Sequence, residues 1–226
     1  MVDLYNNTYQ RFTERVLAEV RAEAFGKDIG QNSWITAEEM LTLIQPLHLN
    51  SNSVVLEVAC GSGGPAMFVA ESTGCKIHGV DSNENAIETA RNLSSQIQFK
   101  VADANQALPF DSNTFDAIYC MDAVNHLTNR LQILREWYRL LKRGGRFLYT
   151  DPIVITGPLT NDEMNRRSSI GFFWFVPQGM NGKWIEEAGL RFVQRKDVTS
   201  AASNIAKRWH ELLRSDLLSI FYNDPG

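Results

Sequence analysis

An apolar run that breaks directly into a glycine turn constrains this chain more than any other feature. Residues 53–59 read SVVLEVA, and Cys60, Gly61, Ser62, Gly63 and Gly64 follow at once, before a helix-like stretch at 65–72. A continuous apolar run of that length suits a strand buried on both faces, and hence a parallel sheet. The turn at the carboxyl end of such a strand opens onto the crevice where sheet order reverses and ligands bind. Glycines there let the backbone approach a ligand, and the next helix offers its N-terminal amides. Alone, the spacing Gly61-x-Gly63-x-x-Ala66 is a dinucleotide-type fingerprint that a tight turn with no ligand satisfies too.

The texture around the turn supports a sheet of this kind. Strand-like runs at 75–81, 96–103, 115–122 and 146–151 alternate with helix-like periods at 84–93 and 126–141, the latter stopping at Gly144 and Gly145. This β-α rhythm predicts an α/β fold with a mostly parallel sheet and helices on both faces. Ahead of it, Tyr9, Phe12, Val16, Val20 and Ala24 give residues 8–25 the period of an amphipathic helix. Thr36 and Glu39 form a capping-box signal for a second helix. After Asp151 the rhythm is interrupted through residue 178 by prolines and by the run Phe172, Phe173, Trp174, Phe175; a helix at 181–188, a strand at 190–198 and a helix at 201–222 then follow. We read residues 1–226 as one domain: a helical cover (1–50), a ligand-binding core (51–151), an insertion over the site (152–178) and a helix-strand-helix end (179–226).

Charge and cysteine usage exclude several function classes. With 22 Lys and Arg against 26 Asp and Glu, the net charge is −4, which argues against nucleic acid as a partner. The densest basic stretch, Arg139, Lys142, Arg143 and Arg146, falls where a helix should end, and cations there answer the helix dipole. No apolar run approaches the ~18 residues of a membrane span, and the first residues lack a secretion signal. Three cysteines, Cys60, Cys75 and Cys120, fit a reducing cytoplasm and no disulfide framework. The histidines show no paired metal-ligand spacing, and no phosphate loop of the Gly-x-x-x-x-Gly-Lys type is present.

Two carboxylates extend the glycine turn into a nucleoside pattern. Asp81 stands 20 residues past Gly61 at the end of the second strand, where an acid can accept both ribose hydroxyls. Asp103 ends the third strand, the next position along the same crevice, where an acid can accept from an adenine amino group. Each is also suited to capping the helix or turn that follows it. The stretches VLEVACGSGG, HGVDSN, VADANQALPFDSNTFDAIYCMDAVNHL and LLKRGGRFLYTD together resemble the class I S-adenosylmethionine-dependent methyltransferases. Within them the chain looks most like small-molecule enzymes of the phosphoethanolamine, sarcosine and sterol type. The resemblance implies a Rossmann-like, doubly wound sheet of order 3-2-1-4-5 plus a sixth strand, with S-adenosylmethionine as cofactor and a small-molecule acceptor. It implies that Glu57 anchors the turn receiving the methionine ammonium, and that Ala59, Gly61 and Gly63 line the methionine by backbone. Asp81 would hold the ribose, Ser82 would sit beside the adenine, Asp103 and Ala104 would face its amino group, and Met121 would offer a backbone contact. Ser33, beside Trp34 in the turn before the second helix, resembles the part of the cover that closes over the cofactor.

The chemistry itself is less marked. His126 follows the fourth strand and suits a base near neutrality, or else it serves the turn without moving a proton. The resemblance pairs a histidine here with an N-terminal tyrosine, Tyr5 or Tyr9, of which Tyr9 is the candidate carried forward. From the aromatic run, Phe172 and Phe175 are the candidate acceptor contacts. An NAD(P)-dependent oxidoreductase is the rival enzyme, and Tyr138 with Lys142 even spells Tyr-x-x-x-Lys; the pair lies at the end of a helix, so we read it as a half-buried aromatic and a terminal cation. A non-catalytic adenosylmethionine-binding module is the rival outside enzymology. The resembling fold ends in a hairpin whose seventh strand has no counterpart here. The sixth strand, at 190–198, should therefore pair with the fifth, or leave an open edge through which copies of the chain could associate.

Overall fold

The computed structural model describes residues 15–168 and 172–213. A central sheet of five parallel strands runs in the order β3-β2-β1-β4-β5: β1 Val54–Val58, β2 Lys76–Asp81, β3 Gln98–Val101, β4 Phe115–Cys120 and β5 Leu141–Tyr149. This is the Rossmann-like order expected. The chain steps outward from β1 to β3, then returns to lay β4 on the other side of β1. The switch point therefore lies between the carboxyl ends of β1 and β4, and loops from both strands meet there.

Two apolar layers hold the sheet. Val55, Ala117 and Tyr119 face one way, onto Met40, Ile44, Leu47, Ala66, Val69 and Ile87. Leu56, Val58, Ile118 and Cys120 face the other, onto Leu134, Trp137, Leu140 and Ile185. The first layer uses helices α2 (Ala37–Ile44), α3 (Gly64–Thr73) and α4 (Glu84–Leu93); the second uses α5 (Arg130–Leu140) and α7 (Met180–Glu187). Alternate residues of one strand thus serve opposite layers, as strand geometry requires. Thr36 caps α2 in the capping box read from the sequence: its Oγ1 accepts from the Glu39 amide while Glu39 accepts from Thr36.

Of the N-terminal amphipathic helix, α1 spans Arg15–Phe25; Tyr5, Tyr9 and Phe12 lie outside the described residues. It packs on the last helix, α8 (Thr199–Leu213), through Ala24, Phe25 and Ile205, with the Phe25 and Trp209 rings edge to face at 6.1 Å.

Three expectations need correction. Residues 190–198 form no strand: 191–197 are exposed, Val193 at 67%, and β5 has no outer neighbour among the described residues. A strand exists only through its partner's hydrogen bonds, and β-prone composition did not supply one. The helix expected at 126–141 is instead a 3-10 turn, Val124–His126, followed by α5, which starts at Arg130 with Asn129 as its side-chain cap. The glycine pair does not stop α5. The helix ends at Leu140, and β5 runs through Gly144 and Gly145 as an irregularity, its register against β4 shifting between Phe115 and Ala117. The insertion also holds a small parallel pair that sequence reasoning missed, β6 (Val154–Ile155) with β7 (Val176–Pro177), and a short helix α6 (Asn161–Arg167).

Candidate active site

The glycine turn is built by close backbone approach. Cys60 N–H donates to the Val80 carbonyl at 3.0 Å, and Gly63 N–H to the Cys60 carbonyl at 3.0 Å. Gly63 adopts φ +77°, and a side chain there would strike the Phe99 ring at 2.5 Å. Gly64 is more constrained: a Cβ would lie 1.9 Å from the Ile29 carbonyl oxygen, because the cover passes directly over the start of α3. Ala59 and Asp122, each just beyond the end of its strand, hold left-handed backbone at φ +58° and +50°. Such conformations disfavour residues other than glycine and concentrate at functional sites.

One cleft results, lined by Gly30, Asn32 and Ser33 of the cover, Glu57, Ala59, Cys60, Gly61 and Ser62 of β1 and its turn, Pro65, and Met121 after β4. Five of the residues singled out from the sequence therefore share one wall: Ser33, Glu57, Ala59, Gly61 and Met121. Three buried polar atoms around it have no hydrogen-bond partner among the described residues, namely Ser33 Oγ, Glu57 Oε2 and Ser62 Oγ. Buried polar groups are normally paired, so the wall is shaped for a polar ligand.

Asp81 is fixed to this wall. Its Oδ2 accepts from Gly61 N–H and its Oδ1 from Asn83 N–H, both at 2.9 Å. Burial raises its pKa, opposed by those amides. The carboxylate thus acts on the turn and on the start of α4 while retaining further lone pairs at the crevice. Ser82 beside it is exposed. Asp103 is exposed at the β3 end and accepts from both the backbone and side-chain nitrogens of Asn105 at 2.9 Å, while Ala104 is buried. The capping reading of the two acids is real, and it leaves oxygen lone pairs over for a nucleoside.

His126 stands apart from that lining, at the insertion. Its Nδ1 is 2.9 Å from the Phe172 carbonyl oxygen, and its ring meets that of Phe173 at 4.6 Å. A carbonyl only accepts, so Nδ1 carries the proton and Nε2 is the basic nitrogen. Burial lowers the pKa, which favours the neutral imidazole at pH 7. Phe172 is exposed and Phe175 half-buried; Phe172 touches His126 through its backbone rather than its ring. Trp174 meets Trp184 at 6.0 Å with the rings tilted by 60°, so part of the aromatic run is packing.

Asp122 was missed. Its Oδ2 accepts from Trp34 N–H at 2.7 Å, its Oδ1 accepts from the Thr150 hydroxyl, and its own N–H donates to Thr150 Oγ1 at 2.7 Å. It ties the cover to the ends of β4 and β5, and burial raises its pKa. Its position was legible, since Asp122 closes the strand-like run 115–122 as Asp81 and Asp103 close theirs, but its partners were not. Arg130, almost fully buried, likewise joins Asp151 at 3.1 Å, Asn181 at 2.6 Å and the Val124 carbonyl at 2.9 Å, holding the loop that carries His126. The Tyr-x-x-x-Lys pair dissolves: Tyr138 is 57% exposed, and Lys142 donates to Asp116 at 2.9 Å. Among the described residues no cluster of His, Cys, Asp or Glu could hold a metal ion.

Residues 56–149, which span β1 to β5, match the family described as a methyltransferase domain. Among curated relatives, the methyltransferase GfsG of Streptomyces halstedii is 35% identical over 123 residues, 52% of this chain and 44% of that protein. Phosphoethanolamine N-methyltransferase 3 of Arabidopsis thaliana is 35% identical over 112 residues, 48% of this chain and 23% of that protein. The chain therefore spans less than half the length of these relatives. Among solved structures, Haemonchus contortus phosphoethanolamine N-methyltransferase 2 in complex with S-adenosyl-L-methionine superposes with a TM-score of 0.79 at 19% identity, over 98% of this chain and 52% of that one. That likeness establishes the fold.

Proposed function

We propose that this chain binds S-adenosylmethionine in the cleft above β1 and β4 and transfers its methyl group to a small-molecule acceptor. The observation that carries the reading is the shared wall: glycine turn, cover and β4 loop converge on one cleft whose buried Ser33 Oγ, Glu57 Oε2 and Ser62 Oγ have no partner among the described residues. The cofactor would supply a methyl group already activated as a sulfonium substituent. The chain's own task is then alignment and exclusion of water. Asp81 would take the ribose hydroxyls, with Ser82, Asp103 and Ala104 around the adenine. The backbone of Ala59, Gly61, Gly63 and Met121 would line the methionine part, and Ser33 would close over it.

His126 accepts a proton at Nε2 where the acceptor brings one, held in its tautomer by the Phe172 carbonyl. Tyr9 is kept as its companion on the resemblance alone. Phe172 and Phe175 border the acceptor side in this reading. A small acceptor rather than a nucleic acid follows from the net charge of −4. Among the described residues no helix is long and apolar enough to cross a membrane, and three buried, unpaired cysteines suit the cytoplasm. The uncovered β5 edge is the surface through which copies would associate. Calorimetry with S-adenosylmethionine, S-adenosylhomocysteine and NAD tests the cofactor assignment: saturable binding of both adenosyl ligands is expected. Binding of NAD alone would overturn it.

A further inference from the structure

Glu57 has a feature that anchoring a turn does not explain. It lies in the middle strand of the sheet, 2% exposed, yet it lines the cleft, and its Oε2 is buried without a hydrogen-bond partner among the described residues. A carboxylate so placed needs a compensating cation or several donors. The groups acting on it offer neither. They are the Asp81 carboxyl, which is like-charged, and the Tyr119 hydroxyl, which favours the ionised form yet is itself without a geometric hydrogen-bond partner. The Cys60 thiol nearby is kept neutral by burial and by these same two acids. Glu57 thus faces the cleft with no cation beside it among the described residues.

We propose that Glu57 is a proton-exchanging recognition group: it holds a proton in the empty cleft and releases it to solvent when a ligand's ammonium is seated over the glycine turn. The inference rests on the adenosylmethionine reading and adds to it a selection for cationic ligands. The step balances simply. The O–H bond of the Glu57 carboxyl breaks, its proton passes to the buffer, and the resulting carboxylate is compensated by the ligand's positive charge. Burial, assisted by Asp81, pushes the Glu57 carboxyl up to about 8 in the ligand-free protein, so near neutrality there is a proton to release. With a ligand that lacks the amino-acid part Glu57 keeps its proton, and the ion pair that would strengthen binding does not form.

The test is calorimetry at pH 6.5 in two buffers of different ionisation enthalpy, titrating S-adenosylmethionine, S-adenosylhomocysteine and methylthioadenosine. At that pH the ligand α-ammonium, whose ordinary pKa is roughly 7.7–8.0, is already charged and takes up little. The expected result is release of close to one proton with each amino-acid-bearing ligand and none with methylthioadenosine. Affinity for the first two should rise about tenfold per pH unit between pH 5.5 and 6.5, which is the slope for one proton, and level off as pH approaches 8. Glu57→Gln should abolish both the release and the slope; where that variant fails to fold, the wild-type proton count decides alone. Binding with no buffer dependence would overturn this inference and leave the cofactor assignment standing. Failure of both adenosyl ligands to bind would overturn the two together.

Discussion

Substituting Gly64 by alanine tests how the cover is held over the cofactor wall. Gly64 is the first residue of α3, and the added methyl would sit 1.9 Å from the Ile29 carbonyl oxygen and 2.9 Å from Gly30 Cα. Both obstacles are backbone, so no side-chain rotation relieves them. Carbon–oxygen contacts begin near ~3.3 Å, so the cover must retreat by roughly 1.4 Å from a separation of 1.9 Å. Overpacking of this kind costs about 1–3 kcal/mol, which for a chain of this size lowers Tm by roughly 2–12 °C. The retreat also carries Asn32 and Ser33 off the cleft and strains the Trp34 to Asp122 bond. Losing one or two ligand hydrogen bonds weakens cofactor binding by about tenfold. Gly182→Ala is the matched control: it lies within α7, a methyl there meets nothing within 4 Å, and it should stabilise by about 0.5–1 kcal/mol. Thermal unfolding and calorimetry on both variants read the two effects. A Gly64→Ala protein as stable as wild type, binding S-adenosylmethionine equally well, would refute this account of cover docking.

Other perturbations bear on separate parts of the site. Asp151→Ala strips the partner from the buried Arg130 guanidinium and should cost about 3–5 kcal/mol in denaturant unfolding; a change under 1 kcal/mol would mean the pair is not the anchor described. His126→Ala should lower turnover about 10²–10⁴-fold with an acceptor that must lose a proton, and leave adenosylhomocysteine affinity intact. In the wild type that rate should hold above neutrality and fall as acid protonates His126, with an inflection below 6.5, the direction in which burial moves it. Ligand-free stability carries a Glu57 signature of opposite sense. Its folded pKa of about 8 exceeds the ordinary 4.5, so this contribution is full below 4.5 and declines by up to about 1.4 kcal/mol per pH unit as pH rises toward 8. A Glu57→Gln variant with an unchanged pH slope would contradict that. Tyr138→Phe, on the exposed face of α5, should change neither stability nor activity measurably.

What the sequence made legible was whatever depends on local periodicity and on position relative to a strand's end. The five strands, the glycine turn, and the placing of Glu57, Asp81 and Met121 at one sheet edge all follow from apolar runs and the residues that close them. Partners far along the chain were illegible. Asp122 is bonded to Trp34 across 88 positions and to Thr150 across 28, so its role could not be read from its neighbours. Gly64 looked like one more turn glycine, and only the cover's approach shows why a side chain is barred. The expected strand at 190–198 failed for the converse reason: its composition is β-prone, but no neighbouring backbone pairs with it. The fate of Gly144 and Gly145 turned on β5 tolerating a register shift against β4, which no propensity encodes.

The central claim is that the wall shared by the glycine turn, the cover and the β4 loop is an adenosyl-cofactor site with Asp81 at its ribose end. A crystal structure with S-adenosylhomocysteine tests it most directly. The ribose hydroxyls should lie in hydrogen-bonding reach of the Asp81 carboxylate, the adenine toward Asp103 and Ala104, and the ammonium beside Glu57. Ligand density elsewhere, or an Asp81 carboxylate bonded only to Gly61 and Asn83 with the ribose turned away, would contradict it.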